Sequence, residues 1–306
     1  MIAVESQSSI RSAPLLPPGT ALGPVHLGVT DRARALAIWQ DVVGLDLVRE
    51  AHDRLELGVG STVLIVLELD ARMPVVERTT GLYHVAIHVP TRRDLAHMLV
   101  RALQRRVRVS PTDHLVSEAI YLWDLDGNGI EITFETPWRG SIGAPDSGNY
   151  VTAADGSDHS GREPIDVDGL LAEIDGDINA VPPRMVEGTR IGHVHMHVND
   201  LADAMHFYRD GLGFGGLFIM RGFGMGDVGL GYMPHAIAFN TWSGAHARPA
   251  PEGAAGLRWF GVTVPTEADL DAVAARLTAI AAPFSRDAAG IEVRDPSQNL
   301  VRVSVA

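Results

Sequence analysis

The sequence predicts an α+β fold built from four βαβββ modules, paired into two domains with a polar connector between them. Three observations carry this. Val25-His26-Leu27-Gly28-Val29-Thr30-Asp31 recurs as Val194-His195-Met196-His197-Val198-Asn199-Asp200, 169 residues later. The helical stretches that follow end alike at the same spacing, I-W-Q-D-V-V-G-L at 38–45 and F-Y-R-D-G-L-G-F at 207–214. A second repeat sets G-L-Y-H-V-A-I-H-V-P-T (81–91) beside G-L-R-W-F-G-V-T-V-P-T (256–266). Likeness over two segments at one spacing, with a third pair alike nearby, marks a duplicated unit, not a chance dipeptide.

Taken in order, residues 1–20 are polar with scattered apolar positions and read as a flexible tail. They lack the basic start and long apolar core of a secretory signal. Each of the four repeat openings is a short alternating strand, then a polar turn, then an amphipathic helix of about ten to fifteen residues. The helix is Arg92 to Gln104 in module two and Glu267 to Ile280 in module four. Short strands follow each helix, such as Thr62–Leu69 in module one and His235–Asn240 in module three. Domain one is placed at 21–140 and domain two at 189–306. The connector 141–188 is rich in Gly, Asp, Ser and Pro and reads as mostly irregular, with a short helix at Val167–Ile174.

Composition bounds the partners. The chain has 306 residues, 46% hydrophobic and 21% charged, which fits about two globular domains. A formal charge of −13 argues against nucleic acid or an anionic membrane surface, since both need a basic face. No run approaches the eighteen apolar residues of a membrane span. There is no cysteine, so thiolate chemistry and disulfides are excluded. The chain reads as cytoplasmic.

The chemistry concentrates in H-L-V-S-E-A-I-Y-L-W-D-L-D-G-N-G-I-E, His114 to Glu131. Two apolar runs flank a turn at Asp126-Gly127-Asn128-Gly129, where Asn and Gly tolerate positive φ. In the second strand Ile130, Ile132 and Phe134 face one way, Glu131 and Thr133 the other. The order His114, five residues, Ile120-Tyr121, Asp124, Gly127, Glu131 resembles the signature of type I extradiol ring-cleaving dioxygenases, with Leu125 where that family usually has proline. These are non-haem iron(II) enzymes of the vicinal-oxygen-chelate superfamily. Over about 21–306 the chain looks most like the two-domain catechol 2,3-dioxygenases.

The resemblance implies paired modules forming a curved sheet around a metal held by two histidines and one carboxylate, a set that leaves positions open for substrate and oxygen. Domain one then offers His26, His84 and Glu131. In domain two His195 aligns with His26, but Trp259 stands where His84 would be and Arg302 where Glu131 would be. An indole cannot ligate iron(II) and a guanidinium repels it, so domain two reads as a degenerate copy. The family's first histidine usually sits five residues before the strand valine, as His84 precedes Val89. That place is Pro24 in module one, with His26 two residues on, and His193 in module three. Glu68 is the alternative ligand from module one. His88, by alternation, shares the face of His84. The histidines His193, His195, His197 and His235 form a second group without a carboxylate in the closing strand.

The resemblance further implies that His114 and Tyr121 hydrogen-bond the substrate and exchange protons. It implies Fe(II), with Mn(II) as the alternative, a small catecholic substrate, dioxygen, and a homo-oligomer. Two rival readings stay open: a glyoxalase I-like isomerase using Glu68, and a metal-free ligand-binding protein. Fold resemblance does not separate these.

Overall fold

The structure, a computed structural model, describes residues 11–142, 151–174, 178–179 and 181–306. Module one comprises β1 (Ala21–Gly28), α1 (Arg32–Ile38), β2 (Asp46–Glu50), β3 (Arg54–Val59) and β4 (Thr62–Glu68). Module two comprises β5 (Thr79–His88), α2 (Arg92–Gln104), β6 (Ser110–Asp113), β7 (Ser117–Trp123) and β8 (Gly129–Glu135). The connector carries β9 (Gly140–Ile142), β10 (Val151–Ala153), β11 (Glu163–Pro164) and α3 (Val167–Ala172). Module three runs through β12 (Arg190–His197), α4 (Leu201–Met205), β13 (Gly215–Met220), β14 (Met225–Leu230) and β15 (Met233–Asn240), with β16 (Arg248–Pro249) beyond it. Module four comprises β17 (Gly256–Val264), α5 (Glu267–Ala279), β18 (Phe284–Asp287), β19 (Gly290–Arg294) and β20 (Leu300–Val305). The four βαβββ modules are present.

Their pairing differs from the sequence expectation that 21–140 and 189–306 each close on themselves. One sheet runs β18-β19-β20-β17-β1-β4-β3-β2 and the other β11-β6-β7-β8-β5-β12-β15-β14-β13, with β16 beside β5. Modules one and four therefore share one sheet, and modules two and three the other. The physical reason is that all four opening strands carry the same alternation, so nothing in the repeat ranks one partner above another. By compactness the chain divides into a unit made of the chain up to Leu27, Val75–Tyr83 and His193–Ala306, and a unit made of Gly28–Pro74 and His84–Gly192.

In the first unit, residues expected in a flexible tail are held in place. Ser12 N donates to Gly216 O, Leu15 N and Leu16 N donate to Gly213 O, and Leu16 is buried. Residues 1–10 of that expected tail lie outside the described residues. The opening helix α4 is capped by Asp200, whose carboxylate accepts from Ala202 N and Asp203 N. It passes into a π-helical turn, His206–Leu212, that ends at left-handed Gly213. Tyr208 is fully buried there, its hydroxyl donating to Asp295 at 2.9 Å. Burial pushes both the Tyr208 hydroxyl and the Asp295 carboxyl above their ordinary values.

The second unit repeats this device. Asp31 caps α1, and the π-helical turn Trp39–Val43 ends at left-handed Gly44. Trp39 Nε1 donates to Asp124 at 3.1 Å, and Asp124 also accepts from Asn128 Nδ2 and from the backbone N–H groups of Asp126 and Asn128. Asp124, a member of the signature, thus shapes the turn between β7 and β8, as Asp295 does between β19 and β20. The helices of modules one and three are shorter than expected because the wider π turn takes over where Trp39 and Tyr208 enter the core.

Gly44 has a packing reason beyond its φ of 95°: a Cβ there would lie 2.9 Å from the Arg101 guanidinium. Arg101, buried on α2, donates to the carbonyls of Val42, Val43 and Pro182. Burial lowers its pKa to about 10, which leaves it charged at neutral pH. Arg101→Met is expected to destabilise the fold by about 2–4 kcal/mol, because it strands three acceptors. Chemical denaturation measures this, and an unchanged midpoint would contradict it. The connector is more regular than expected: β9 pairs with β10, β11 pairs with β6, and α3 covers the expected helix up to Ala172. No helix among the described residues is long and apolar enough to cross a membrane.

Candidate metal centre

The closing strand of module two places its carboxylate by alternation. Ile130 and Ile132 are fully buried on one face of β8, and Glu131 projects from the other, yet it too is only 2% exposed. Parallel pairing of β5 with β8 sets Ala86 opposite Glu131. His84 Nε2 lies 2.9 Å from Glu131 Oε2, and Thr133 Oγ1 donates to Glu131 Oε1 at 3.1 Å. A buried carboxylate is costly to keep ionised without a cation or a full set of donors.

The third member of this group is His193, the third-module histidine five residues before its strand valine. One potential ligand atom each from His84, Glu131 and His193 lie within 4.8 Å of one another, and all three residues are buried. This is the one such group of three or more histidine, aspartate or glutamate side chains among the described residues. The sequence held the signal in the spacing of His193 to Val198, matching His84 to Val89. With domains drawn along the chain, the closing strand of the domain that holds His193 offers no carboxylate.

His26, the expected ligand from module one, is not a member of this group. Its ring stacks on Trp259 with centroids 3.6 Å apart, and the Arg302 guanidinium stands 4.4 Å from the same indole. Trp259 and Arg302 are the residues that replace His84 and Glu131 in the repeat. β1, which carries Pro24 and His26, stands beside β17 in one sheet. Glu68, half-buried at the end of β4, is outside the ligand group as well.

Beside His193 stands a second histidine, His235, with ring centroids 4.1 Å apart. His235 Nδ1 bonds to the carboxylate of Asp227, which is completely buried. Burial pushes the Asp227 carboxyl up to about 6, against the opposing pull of His235. This arrangement holds the Nδ1 proton toward Asp227 and leaves Nε2 as the atom able to accept. Asn240, at the end of β15, bridges two histidines of β12: its Nδ2 lies 2.8 Å from His195 Nε2 and its Oδ1 2.8 Å from His197 Nδ1. Tyr83 packs edge-on against His195 and Trp242 and at a tilt against His197, and Trp242 is tilted against His195. His88 is buried against Gly192 and lies 3.3 Å from Glu135.

His114 and Tyr121 are brought together. Tyr121 is the register partner of Glu131 across β7–β8, so both side chains leave the same face. The Tyr121 ring centroid lies 5.4 Å from that of His84. His114 Nε2 is 2.8 Å from the Tyr121 hydroxyl, and His114 Nδ1 is 2.6 Å from the carbonyl of Gly161. A carbonyl can only accept, so Nδ1 carries a proton, and in the neutral ring Nε2 accepts from the tyrosine.

The pattern of the Glyoxalase/Bleomycin resistance protein/Dioxygenase superfamily matches residues 21–132 and 190–303, and the chain belongs to this superfamily. A catechol-2,3-dioxygenase of Bacillus subtilis (strain 168) is 34% identical over 280 residues, covering 90% of this chain and 94% of that protein. Among solved structures, a putative dioxygenase from Bacillus subtilis superposes with a TM-score of 0.61 at 12% identity, over 93% of this chain and 84% of that one. Glyoxalase I from Zea mays superposes at 0.57, also at 12% identity, over 94% and 93% of the two chains. At such identities these structures establish the two-domain fold alone.

Proposed function

We propose that this chain is an Fe(II)-dependent extradiol dioxygenase that opens a catecholic ring with dioxygen; its Bacillus subtilis relative is named a catechol-2,3-dioxygenase. The observation that carries the reading is the convergence of buried His84, Glu131 and His193. Two imidazoles and one carboxylate, without cysteine anywhere in the chain, suit Fe(II), with Mn(II) as the alternative. His84, Glu131 and His193 would hold the metal, which would supply Lewis-acid and redox chemistry toward a catechol and dioxygen. Glu68, the ligand that the isomerase reading requires, is not a member of that group.

The chain's own residues handle the protons. A catechol must lose protons to chelate, and the opened product must gain one. His235, with Asp227 fixing its Nδ1 proton, offers Nε2 as the acceptor beside His193. His114 and Tyr121 form the second proton-transfer pair, near His84. The Gly161 carbonyl keeps the His114 proton on Nδ1, so protons exchange between Nε2 and the Tyr121 hydroxyl. Tyr121 reaches the site from the strand that carries it past Glu131, so this pair stands beside the ligands without being one of them.

The test is anaerobic reconstitution with Fe(II) followed by catechol in air. A yellow ring-opened semialdehyde should form, and prior removal of the metal by a chelator should abolish it. Stoichiometric iron binding with no ring-opened product from any of several substituted catechols would overturn the activity. Methylglyoxal with a thiol cofactor serves as the isomerase control and should give no turnover.

A further inference from the structure

The residue that fixes the His114 proton belongs to the connector, a stretch whose composition gave no functional signal. Gly161 is buried and adopts a φ of +76°, a conformation L side chains rarely take. Its carbonyl, 2.6 Å from His114 Nδ1, is aimed by two further contacts. Gly161 N donates to His159 Nδ1 at 2.9 Å, and β11 immediately after it pairs with β6, setting Glu163 opposite Asp113. His159 therefore accepts at Nδ1 and carries its proton on Nε2, which faces the Asp113 carboxylate at 3.8 Å. Asp113 is itself fixed by two bonds from Arg139 and one from Leu115 N. Asp113 precedes His114 directly, so the same carboxylate anchors both sides of the contact.

We infer that the connector turn at His159–Gly161 is a positioning element for the proton-transfer pair, holding His114 in the Nδ1–H tautomer so that Nε2 faces Tyr121. The inference rests on the role given to His114 above. A connector that merely covered the sheet would need neither a left-handed glycine aimed at the imidazole nor a partly buried histidine holding that glycine's N–H. With the carbonyl displaced, the His114 proton can settle on Nε2, where the ring no longer accepts from Tyr121.

Three variants test this: Gly161→Ala, His159→Leu, and His159→Asn, whose amide oxygen can replace Nδ1 as acceptor for Gly161 N. The first readout is the ¹⁵N spectrum of the His114 ring in the full-length chain kept free of iron. Wild type should show Nδ1 protonated, and Gly161→Ala and His159→Leu should show a mixture of tautomers. The second is kinetics of the Fe(II)-loaded chain with catechol. Those two variants should lose roughly 10–100-fold in kcat, with KM changed by less than about twofold, while His159→Asn recovers most of the loss. In the His114→Gln background Gly161→Ala should cost nothing further, since its effect passes through His114. An Nε2-protonated His114 in wild type, an unchanged tautomer in both disrupting variants, or an additive loss in the double variant would each overturn the inference. If wild type opens no catechol ring, the dioxygenase reading fails on its own, and the ¹⁵N spectra still decide whether the turn sets the tautomer.

Discussion

Replacing His193 by alanine is expected to strip the chain of iron and of ring-opening activity, while His26→Ala leaves iron content near that of wild type. The two histidines are rivals for one role, each on the opening strand of a module, and the sequence favoured His26. The structure groups His193 with His84 and Glu131, and seats His26 against Trp259. Removing one of the three proposed ligands would leave an incomplete set, so the fall in activity should exceed the roughly 10–100-fold typical of a change one shell further out. His84→Ala and Glu131→Ala should behave as His193→Ala does. Iron stoichiometry after anaerobic reconstitution measures the effect. Circular dichroism confirms that the fold survives. Iron lost in His26→Ala and kept in His193→Ala would reverse the assignment.

The second large effect concerns His114→Gln. Glutamine can hydrogen-bond but does not titrate, so iron and substrate should still bind while turnover falls by roughly 10²–10⁴-fold, the range for losing a positioned proton-transfer group. The motivating geometry is the chain of contacts from Gly161 O through His114 to the Tyr121 hydroxyl, with Tyr121 close to His84. Iron content, anaerobic substrate affinity and turnover in air separate the possibilities. Lost iron would make His114 a ligand, and unchanged turnover would make it a bystander.

These two expectations show what could be read along the chain. The repeat at 169 residues and the alternation in the opening strands fixed four βαβββ modules, because strand and helix periodicities are local properties. The hairpin around Asp126-Gly127-Asn128-Gly129 was legible for the same reason, and with it the placement of Glu131 opposite the packed face. His84, Glu131, His114 and Tyr121 all lie within module two, so a signature in one module was enough to find them. The exclusion of Trp259 and Arg302 as ligands followed from side-chain chemistry alone.

What the tertiary structure decided was which modules share a sheet. Four opening strands with the same alternation can pair as neighbours in the chain or across it, and local pattern energies do not distinguish these choices. The ligand set depends on that choice, because an opening-strand histidine must come from whichever module stands beside module two. Pairing two with three brings in His193 and leaves His26 to the sheet where Trp259 and Arg302 lie. The connector shows the same limit on a smaller scale. Its glycine and serine content reads as irregular chain, and only the register of β11 on β6 brings the carbonyl of Gly161 to His114. A backbone carbonyl has no sequence signature, so its role is visible only where the folded chain places it.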